Sequence, residues 1–323
     1  MFSRNSFLLP VNCIPFWTTA PKATLYQILT TLCFFVIIIN SRSELSAAEV
    51  TLTASADTGI HESAPDNNMG GNSFVSAGSN GALSPTRALF QFDLAGIPCG
   101  ATIVRVQLRL SVTGLPFSFA ADSVFGLHRL NQSWGEGQGI GQLGSPAQKG
   151  EATWNARFYP EVLWSAPGGA TAADFGSAES STGLISGLGD YTFPSTPALV
   201  ADVQSWLDSP ESNHGWILIS ESEGISRTAR RFGSRESSSP PQLTVEFTSP
   251  LRIDLISSDA DGFQIQFTAE PGFNYTVQFK ETLESTEWFT LTDFLPQSET
   301  TTLVATDSPD GPQGFYRLVR SNP

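Results

Sequence analysis

Alternation of apolar and polar residues is the feature of this sequence that most restricts its fold. In the stretch TIVRVQLRLSV, one side of an extended chain would carry Val104, Val106, Leu108, Leu110 and Val112. The other side would carry Arg105, Gln107, Arg109 and Ser111. Because side chains alternate between the two faces of a strand, this period of two predicts a β-strand with one buried face.

Similar patterns recur along the chain, separated by clusters of Gly, Asn, Pro and Ser that predict turns. ALFQFDL and LTVEF alternate, whereas GWILIS is a nearly continuous apolar run. One stretch breaks the period, because STPALVADVQSWL spaces its apolar residues along a helical stripe. Thr196 is placed to cap a helix that begins at Pro197 and stops before Pro210. The pattern predicts an all-β protein with one short helix.

A domain boundary is predicted near FTSPLRID, where the alternation restarts in shorter segments. The segment 251–323 contains six or seven such short stretches, among them GFQIQFTAE, NYTVQFKE and GFYRLVR. This number of short strands favours a small fibronectin-like β-sandwich. Residues 49–248 form the larger predicted domain, in which the Gly-rich stretch 135–150 is expected to be an exposed loop.

The first 48 residues are typical of an export segment. Arg4 and Lys22 precede an uncharged stretch, residues 23–40, and small residues allow cleavage after Ala48. The sequence therefore predicts a secreted or extracellular protein that is not a membrane protein once this signal peptide is removed. The alternative is an uncleaved anchor, because 18 uncharged residues are just long enough to cross a bilayer.

Charge and cysteine content exclude several classes of function. The chain has a formal net charge of -14, and residues 49–323 carry 14 basic and 30 acidic residues, a net charge of -16. Binding to nucleic acid needs a broad positive surface, so nucleic acid is not an expected partner. Cys99 is the one cysteine after residue 48, which leaves neither an internal disulfide nor a cysteine-based metal site for that part of the chain.

Many weak motifs occur in a characteristic order between about residues 50 and 248. They are ADTGIHESAPDNNMGGNSFVSAG, TRALFQFDLAGIPCGATIVRVQLRL, SWGEG, ATWNARFY, APGG, VQSWL, NHGWILI, FGSRE and PPQLTVEF. In this order they resemble the DNRLRE domain, also classified as carbohydrate-binding module family ninety-six. The resemblance implies a β jelly roll in a secreted or cell-surface bacterial protein, non-catalytic in most members, with acidic-polysaccharide binding in some. The segment ending GFYRLVR is similar to small β-sandwich modules that close many secreted bacterial proteins.

Arginines are the first candidates for ligand binding. Arg231 and Arg235 belong to a group of four within nine positions, and guanidinium groups bind carboxylated or sulfated sugars through paired hydrogen bonds. The alternative is pairing with the protein's own Glu221, Glu223 and Glu236. Arg87, Arg105 and Arg109 would form a basic row if their strands share a concave sheet, and would otherwise be ordinary solvated side chains.

Loop tryptophans and a group of acids are the remaining candidates. Trp134 and Trp154 have flat rings that could stack on sugars or instead plug the end of the sandwich. Asp57, Glu62 and Asp66 lie close in sequence and offer oxygen ligands to a structural Ca²⁺, although acids are also common in turns. No other cofactor is expected.

Catalytic signals are sparse, so the protein is not expected to be an enzyme. Three scattered histidines form no known metal or nucleophile motif. Glu136 with Glu151, or Tyr159 with Arg157, are the nearest candidates for a hydrolase or a lyase. The leading hypothesis is a secreted, non-catalytic protein that binds an extracellular polysaccharide. An acidic polysaccharide is the first expectation. The alternatives are a structural or adhesion protein without glycan specificity, and a polysaccharide lyase or hydrolase. The sequence does not indicate an oligomeric state.

Overall fold

The structure is a computed structural model that describes residues 47–116, 120–259, 262–282, 284–308 and 314–321. These residues divide into two compact units, with the division between Ser249 and Pro250. The predicted export segment lies outside the described residues, apart from its last two positions. Within the described part of the chain, no helix combines the length and the hydropathy needed to cross a bilayer.

The first unit is an antiparallel β-sandwich of the jelly-roll type, as predicted. Its strands are β1 (Ala48–His61), β2 (Asn67–Asn68), β3 (Phe74–Ser79), β4 (Pro85–Phe92), β5 (Thr102–Gly114), β6 (Ser123–Leu130), β7 (Ser145–Pro146), β8 (Ala156–Phe158), β9 (Val162–Leu163), β10 (Phe175–Ile185), β11 (Gly189–Phe193), β12 (Trp216–Ser220), β13 (Arg230–Gly233) and β14 (Gln242–Thr248). One helix, α1 (Pro197–Asp208), is followed by a 3₁₀ turn at Pro210–Ser212.

Two sheets form the sandwich, and β1 belongs to both. Its first half, Ala48 to Thr53, pairs with β14, and its second half pairs with β4. A bulge between Ala54 and Ala56 marks the change of sheet, as expected where a strand bends sharply. The first sheet contains β14, β5, β13, β11 and parts of β1 and β3. The second contains β4, β12, β6, β10 and the rest of β1 and β3.

The main core fills the space between the two sheets. Alternate residues of β5 point inward, but a bulge opposite Glu246 and Phe247 shifts the pattern at the start of the strand. Ile103 is therefore buried and Val104 is half exposed, which corrects the prediction that Val104 faces the core. Helix α1 closes one side of this core, and its Trp206 packs edge-on against Trp216 with ring centroids 4.5 Å apart. Thr196 caps the helix by accepting a hydrogen bond from the Leu199 backbone N–H.

A second core lies on the outer face of the second sheet. Leu89 and Ile217 alternate with residues of the main core, so they point away from it. Residues 131–174 cover them and contribute the large buried side chains of Trp134, Trp154 and Trp164, and Phe175 of β10 packs in the same core. We call residues 131–174 the cover segment. The stretch 135–150, predicted as an exposed loop, belongs to this segment and is hydrogen-bonded to its neighbours, for example from Ala152 N–H to Gly135 C=O.

The second unit is a small β-sandwich, as predicted. Its strands are β15 (Leu255–Asp259), β16 (Gly262–Ala269), β17 (Asn274–Lys280), β18 (Phe289–Phe294), β19 (Thr301–Asp307) and β20 (Phe315–Ser321). One sheet has the order β15-β16-β19 and the other has the order β18-β17-β20. Between them lie alternating apolar residues, including Ile265, Phe267, Val277 and Leu318.

Candidate functional site

Arg231 and Arg235, two of the predicted ligand-binding arginines, are both in contact with other side chains. The guanidinium carbon of Arg231 lies 4.3 Å from the centre of the Phe74 ring. The Nε atom of Arg235 lies 2.6 Å from a Glu136 carboxylate oxygen and 3.0 Å from one of Glu236. Pairing with Glu236 was one of the two predicted outcomes, whereas Glu136 was not expected as a partner. The Arg235 guanidinium is therefore held by two carboxylates.

Arg230, which was not a candidate, is the buried arginine of this group. It alternates with Arg231 on β13, so it shares the inward face with Phe232. Its guanidinium donates to the backbone carbonyls of Ser186, Thr228 and Ala121 at 2.8–3.0 Å. Burial lowers the pKa of the Arg230 guanidinium. The position on a buried face was the available signal, and the role is to tie several loops together.

The predicted basic row of Arg87, Arg105 and Arg109 does not form, because its members lie in different sheets. Arg105 and Arg109 belong to β5 in the first sheet, and Arg87 belongs to β4 in the second. Alternation along a strand predicts which face a residue takes but not which sheet the strand joins.

Two of these three arginines are also engaged by other groups. Arg87 makes a bidentate contact with Glu223 at 2.8 and 2.9 Å and lies over the Trp154 ring beneath the cover segment. Arg109 contacts Asp190 at 2.6 Å. Arg105 is exposed and makes no hydrogen bond or ion pair with the described residues.

Trp134 and Trp154 are buried, which corrects the alternative that their rings are open to sugars. They are 7% and 6% exposed, and the neighbouring Trp164 is 4% exposed. The indole N–H of Trp134 donates to the His214 carbonyl, and that of Trp164 donates to the Thr153 carbonyl, both at 2.9 Å. Because the rings fill the second core and two of the N–H groups are bonded to backbone, these tryptophans are structural.

The three predicted metal ligands do not come together. Asp57 is fully buried, whereas Glu62 and Asp66 are exposed. Asp66 accepts a hydrogen bond from the Asn155 side-chain amide at 2.9 Å. Among the described residues, no group of three or more His, Cys, Asp and Glu side chains could hold a metal ion. The prediction that Asp57, Glu62 and Asp66 together form a calcium site is therefore wrong.

Asp57 instead belongs to a cluster of titratable residues at the free edge of β1. One Asp57 carboxylate oxygen accepts the Arg235 backbone N–H at 2.7 Å, and the Asp57 N–H donates to Glu136 at 2.8 Å. Burial raises the pKa of Asp57 to about 8, helped by the nearby Glu236 and Glu136 charges, and burial also raises the pKa of Glu136. These contacts fasten the cover segment and the turn after β13 to β1, so the cluster is a structural lock.

His61 lies on the same inward face of β1 and has lost its usual basicity. Burial and the Arg231 charge lower its pKa to about 4. Its Nε2 atom and the second Asp57 carboxylate oxygen are buried, and neither makes a hydrogen bond with the described residues. Both side chains face the closed interior of the sandwich, so they are not placed to contact an external ligand.

An open groove of about 390 Å³ lies on the surface of the cover segment. The hairpin of β8 and β9 forms one wall, with Tyr159 and Pro160 in its turn. A tight turn places Asn155 on the groove, because the Thr153 hydroxyl accepts the backbone N–H groups of Asn155 and Ala156. The principal lining residues are Asp66, Asn155, Tyr159, Leu163, Trp164 and Pro167.

Polar atoms in the groove are mostly acceptors. One N–H of the Asn155 amide donates to an Asp66 oxygen, which leaves the other N–H, the Asn155 carbonyl oxygen and the second Asp66 oxygen without a hydrogen bond to the described residues. The Tyr159 hydroxyl is likewise without such a bond, and its ring is half-buried. None of the ten described residues that line the groove is a lysine, an arginine or a histidine.

The arrangement is suited to holding a sugar ring. A half-buried tyrosine ring offers an apolar face, and neighbouring acceptors can receive hydrogen bonds from sugar hydroxyls. The pair considered for a lyase is not assembled here, because Arg157 does not line the groove. Its guanidinium donates to the Ser133 carbonyl at 2.7 Å and lies over the Phe158 ring.

Comparison with known proteins gives no independent assignment. No protein-family model matches the chain, and no curated protein matches it. Three of the motifs quoted above do meet in space, since ADTGI, SWGEG and FGSRE supply Asp57, Glu136 and Arg235 of the structural lock. The functional interpretation therefore depends on the groove and its lining residues.

Proposed function

We propose that this protein is secreted and binds an extracellular polysaccharide, without catalysis, through the groove lined by Asp66, Asn155 and Tyr159. The observation that carries the proposal is the combination of a half-buried ring with unused acceptor oxygens in an open groove. Small-molecule sites commonly pair an apolar surface with a few placed polar groups.

Hydrogen bonds that fix the loop around the groove support the same proposal. Trp164 lies at its base and is held by a hydrogen bond to the Thr153 carbonyl. The buried Asp174 carboxylate accepts the backbone N–H groups of Ser165 and Ala170. A loop fixed by such bonds loses little conformational freedom when a ligand binds, so more of the contact energy appears as affinity.

The arginine-based alternative has less support. Arg87, Arg109 and Arg235 each contact a carboxylate of the protein itself, and those contacts would have to break before an acidic sugar could bind. Arg105 is exposed, but of the other two arginines in the predicted row only Arg109 shares its sheet, and Arg109 contacts Asp190. We therefore place the ligand contact in the groove.

Affinity electrophoresis tests the proposal. The purified protein is run in gels that contain neutral or acidic polysaccharides, beside a Tyr159→Ala variant. We expect retardation on at least one polymer and a loss of about tenfold in affinity for Tyr159→Ala, equivalent to about 1.4 kcal/mol. Phe289→Ala is the matched control, because Phe289 is an exposed aromatic residue of the other unit. Unretarded migration on every polymer would remove the proposal.

A structural or adhesion role is the second candidate. Its support is the internal pairing of most arginines, which leaves an acidic surface without a dedicated basic face. A protein with this role would migrate unretarded on all polymers and would still show cooperative unfolding of its β units by calorimetry.

A further inference from the structure

We infer that the groove selects uncharged sugar units and excludes uronate and sulfate groups. This inference rests on the proposed function, because it concerns the ligand of the same groove. It departs from the acidic polysaccharide that the family resemblance implies. The residues that carry it are Asp66, Asn155 and Tyr159.

The hydrogen-bonding capacity of the groove is matched to hydroxyl donors. The Asn155 amide would be the natural donor to a ligand carboxylate, but one of its two N–H groups is already used by Asp66 at 2.9 Å. What remains is one oxygen of Asp66, the carbonyl oxygen and the second amide N–H of Asn155, and the Tyr159 hydroxyl. Carboxylate and carbonyl oxygens only accept, whereas a sugar hydroxyl can donate. A sugar hydroxyl both donates and accepts, so it can satisfy all of these groups, whereas a ligand carboxylate or sulfate only accepts and would leave the Asp66 and Asn155 oxygens without a donor.

Charge in and around the groove also disfavours an anionic ligand. Asp66 is the one charged residue among those that line it, and it is an acid. Of the cations in the cover segment, Lys149 contacts Glu161 at 2.8 Å, and Arg157 donates to the Ser133 carbonyl and does not line the groove. Residues 49–323 carry a net charge of -16, so a polyanion is also repelled at longer range.

The dimensions of the groove fit a short stretch of a polymer. Its volume of about 390 Å³ is at the lower end of the range for small-molecule sites. A groove that is open at the surface allows the chain to continue on either side. Recognition is thus limited to few sugar units, and a charge on one of them would lie close to Asp66.

Matched polymer pairs test the inference. Each pair shares a backbone and differs in charge: methyl-esterified and de-esterified pectin, hydroxyethyl and carboxymethyl cellulose, and laminarin before and after sulfation. We expect binding to the neutral member of at least one pair and at least about tenfold weaker binding to its charged partner. The discrimination should decrease in 0.5 M NaCl, because salt screens the repulsion.

Asp66→Asn is the informative variant, because an asparagine keeps the acceptor for the Asn155 amide and removes the charge. We expect it to reduce the discrimination several-fold while keeping the melting temperature of the wild type. Glu211→Gln, an exposed acid outside the groove, makes the same change in net charge and should leave the discrimination unchanged. Equal effects of the two variants would overturn the assignment to Asp66.

The outcomes separate the inference from the proposed function. Equal or tighter binding to the charged members would refute the inference and leave the proposed function standing. If the protein binds none of the six polymers and none of the polymers in the gels described above, both the inference and the proposed function are refuted.

Discussion

Replacing Asp57 with asparagine should remove a pH dependence of stability that the buried carboxyl creates. Asp57 is fully buried on the inward face of β1, and burial raises its pKa from 3.8 to about 8. In the folded protein at neutral pH the carboxyl group is therefore mostly protonated. Asparagine has nearly the same shape and keeps an oxygen that can accept the Arg235 backbone N–H. The variant should fold with similar stability at pH 6.5.

The sign follows from the number of protons bound in each state. Between pH 3.8 and 8 the folded state holds a proton on Asp57 that the unfolded chain has released, so stability falls as pH rises. The slope from one such group is about 1.4 kcal/mol per pH unit. From pH 6.5 to 8 the wild type should lose about 2 kcal/mol of unfolding free energy, and Asp57→Asn should lose almost none of this.

His61 sets the lower limit of the useful pH window. Its pKa is lowered from 6.5 to about 4, so between these values the unfolded chain binds a proton that the folded state does not. This makes stability rise with pH and opposes the effect of Asp57 below pH 6.5. The two contributions largely cancel between pH 4 and 6.5, so the wild type and the variant are compared above that range.

Urea unfolding followed by tryptophan fluorescence measures the effect. Five of the seven tryptophans lie in the first unit, at positions 134, 154, 164, 206 and 216, so the signal reports mainly on it. Unfolding free energies at pH 6.5, 7.25 and 8 are compared for wild type and Asp57→Asn. Parallel pH profiles for the two proteins would show that Asp57 is ionised in the fold. A loss of several kcal/mol in the variant at pH 6.5 would show that its negative charge is needed.

Two further substitutions test the packing described above. Trp154→Ala removes a buried ring from the second core and should lower the unfolding free energy by about 3–5 kcal/mol, measured by urea unfolding; a loss below 1 kcal/mol would mean that the cover segment does not pack as described. Thr196→Ala removes the cap of α1 and should cost about 1 kcal/mol, whereas Thr196→Ser should restore most of it, since serine also caps; equal melting temperatures for all three proteins would refute the capping role.

Local periodicity was sufficient to predict the fold class and the helix. The stretch from Thr196 to Pro210 contains a cap, a proline at the first turn, an apolar stripe and a proline stop within a short segment, and the helix forms at Pro197–Asp208. The alternation of apolar and polar residues in β5 also predicted correctly which side chains face the core, except at the bulge. These signals depend on neighbours in sequence, so they do not require knowledge of the tertiary structure.

Residues 131–174 could not be predicted in this way. Their tryptophans are spaced irregularly and follow no period, and their burial depends on Ile60, Leu89 and Ile217, which are distant in sequence. A signal was nevertheless present, because WILIS is apolar at almost every position. A strand of this kind is buried on both faces, and only a covering segment can bury the outer face of a sheet in a two-sheet sandwich.

The ion-pair partners of the arginines also could not be predicted from residues close in sequence. Whether Arg235 meets Glu136, or Arg87 meets Glu223, depends on which loops the topology brings together. The acidic excess of the chain favoured internal pairing in general, and the structure supplies the specific partners. Arg105 and Arg87 failed to form a row for a related reason, since their strands join different sheets.

The position of the groove follows from the second core beneath it. A segment with little regular structure presents a defined surface only if something else fixes it, because each unconstrained backbone residue costs about 1–2 kcal/mol to order. Here the fixing groups are the buried rings of Trp154 and Trp164 and the Arg87 guanidinium, which donates to the Gly168 carbonyl at 2.8 Å. Loss of Arg87 should therefore weaken binding in the groove without any direct contact between Arg87 and a ligand. In this arrangement an arginine predicted to bind sugar acts instead by positioning the loop that carries the proposed ligand site.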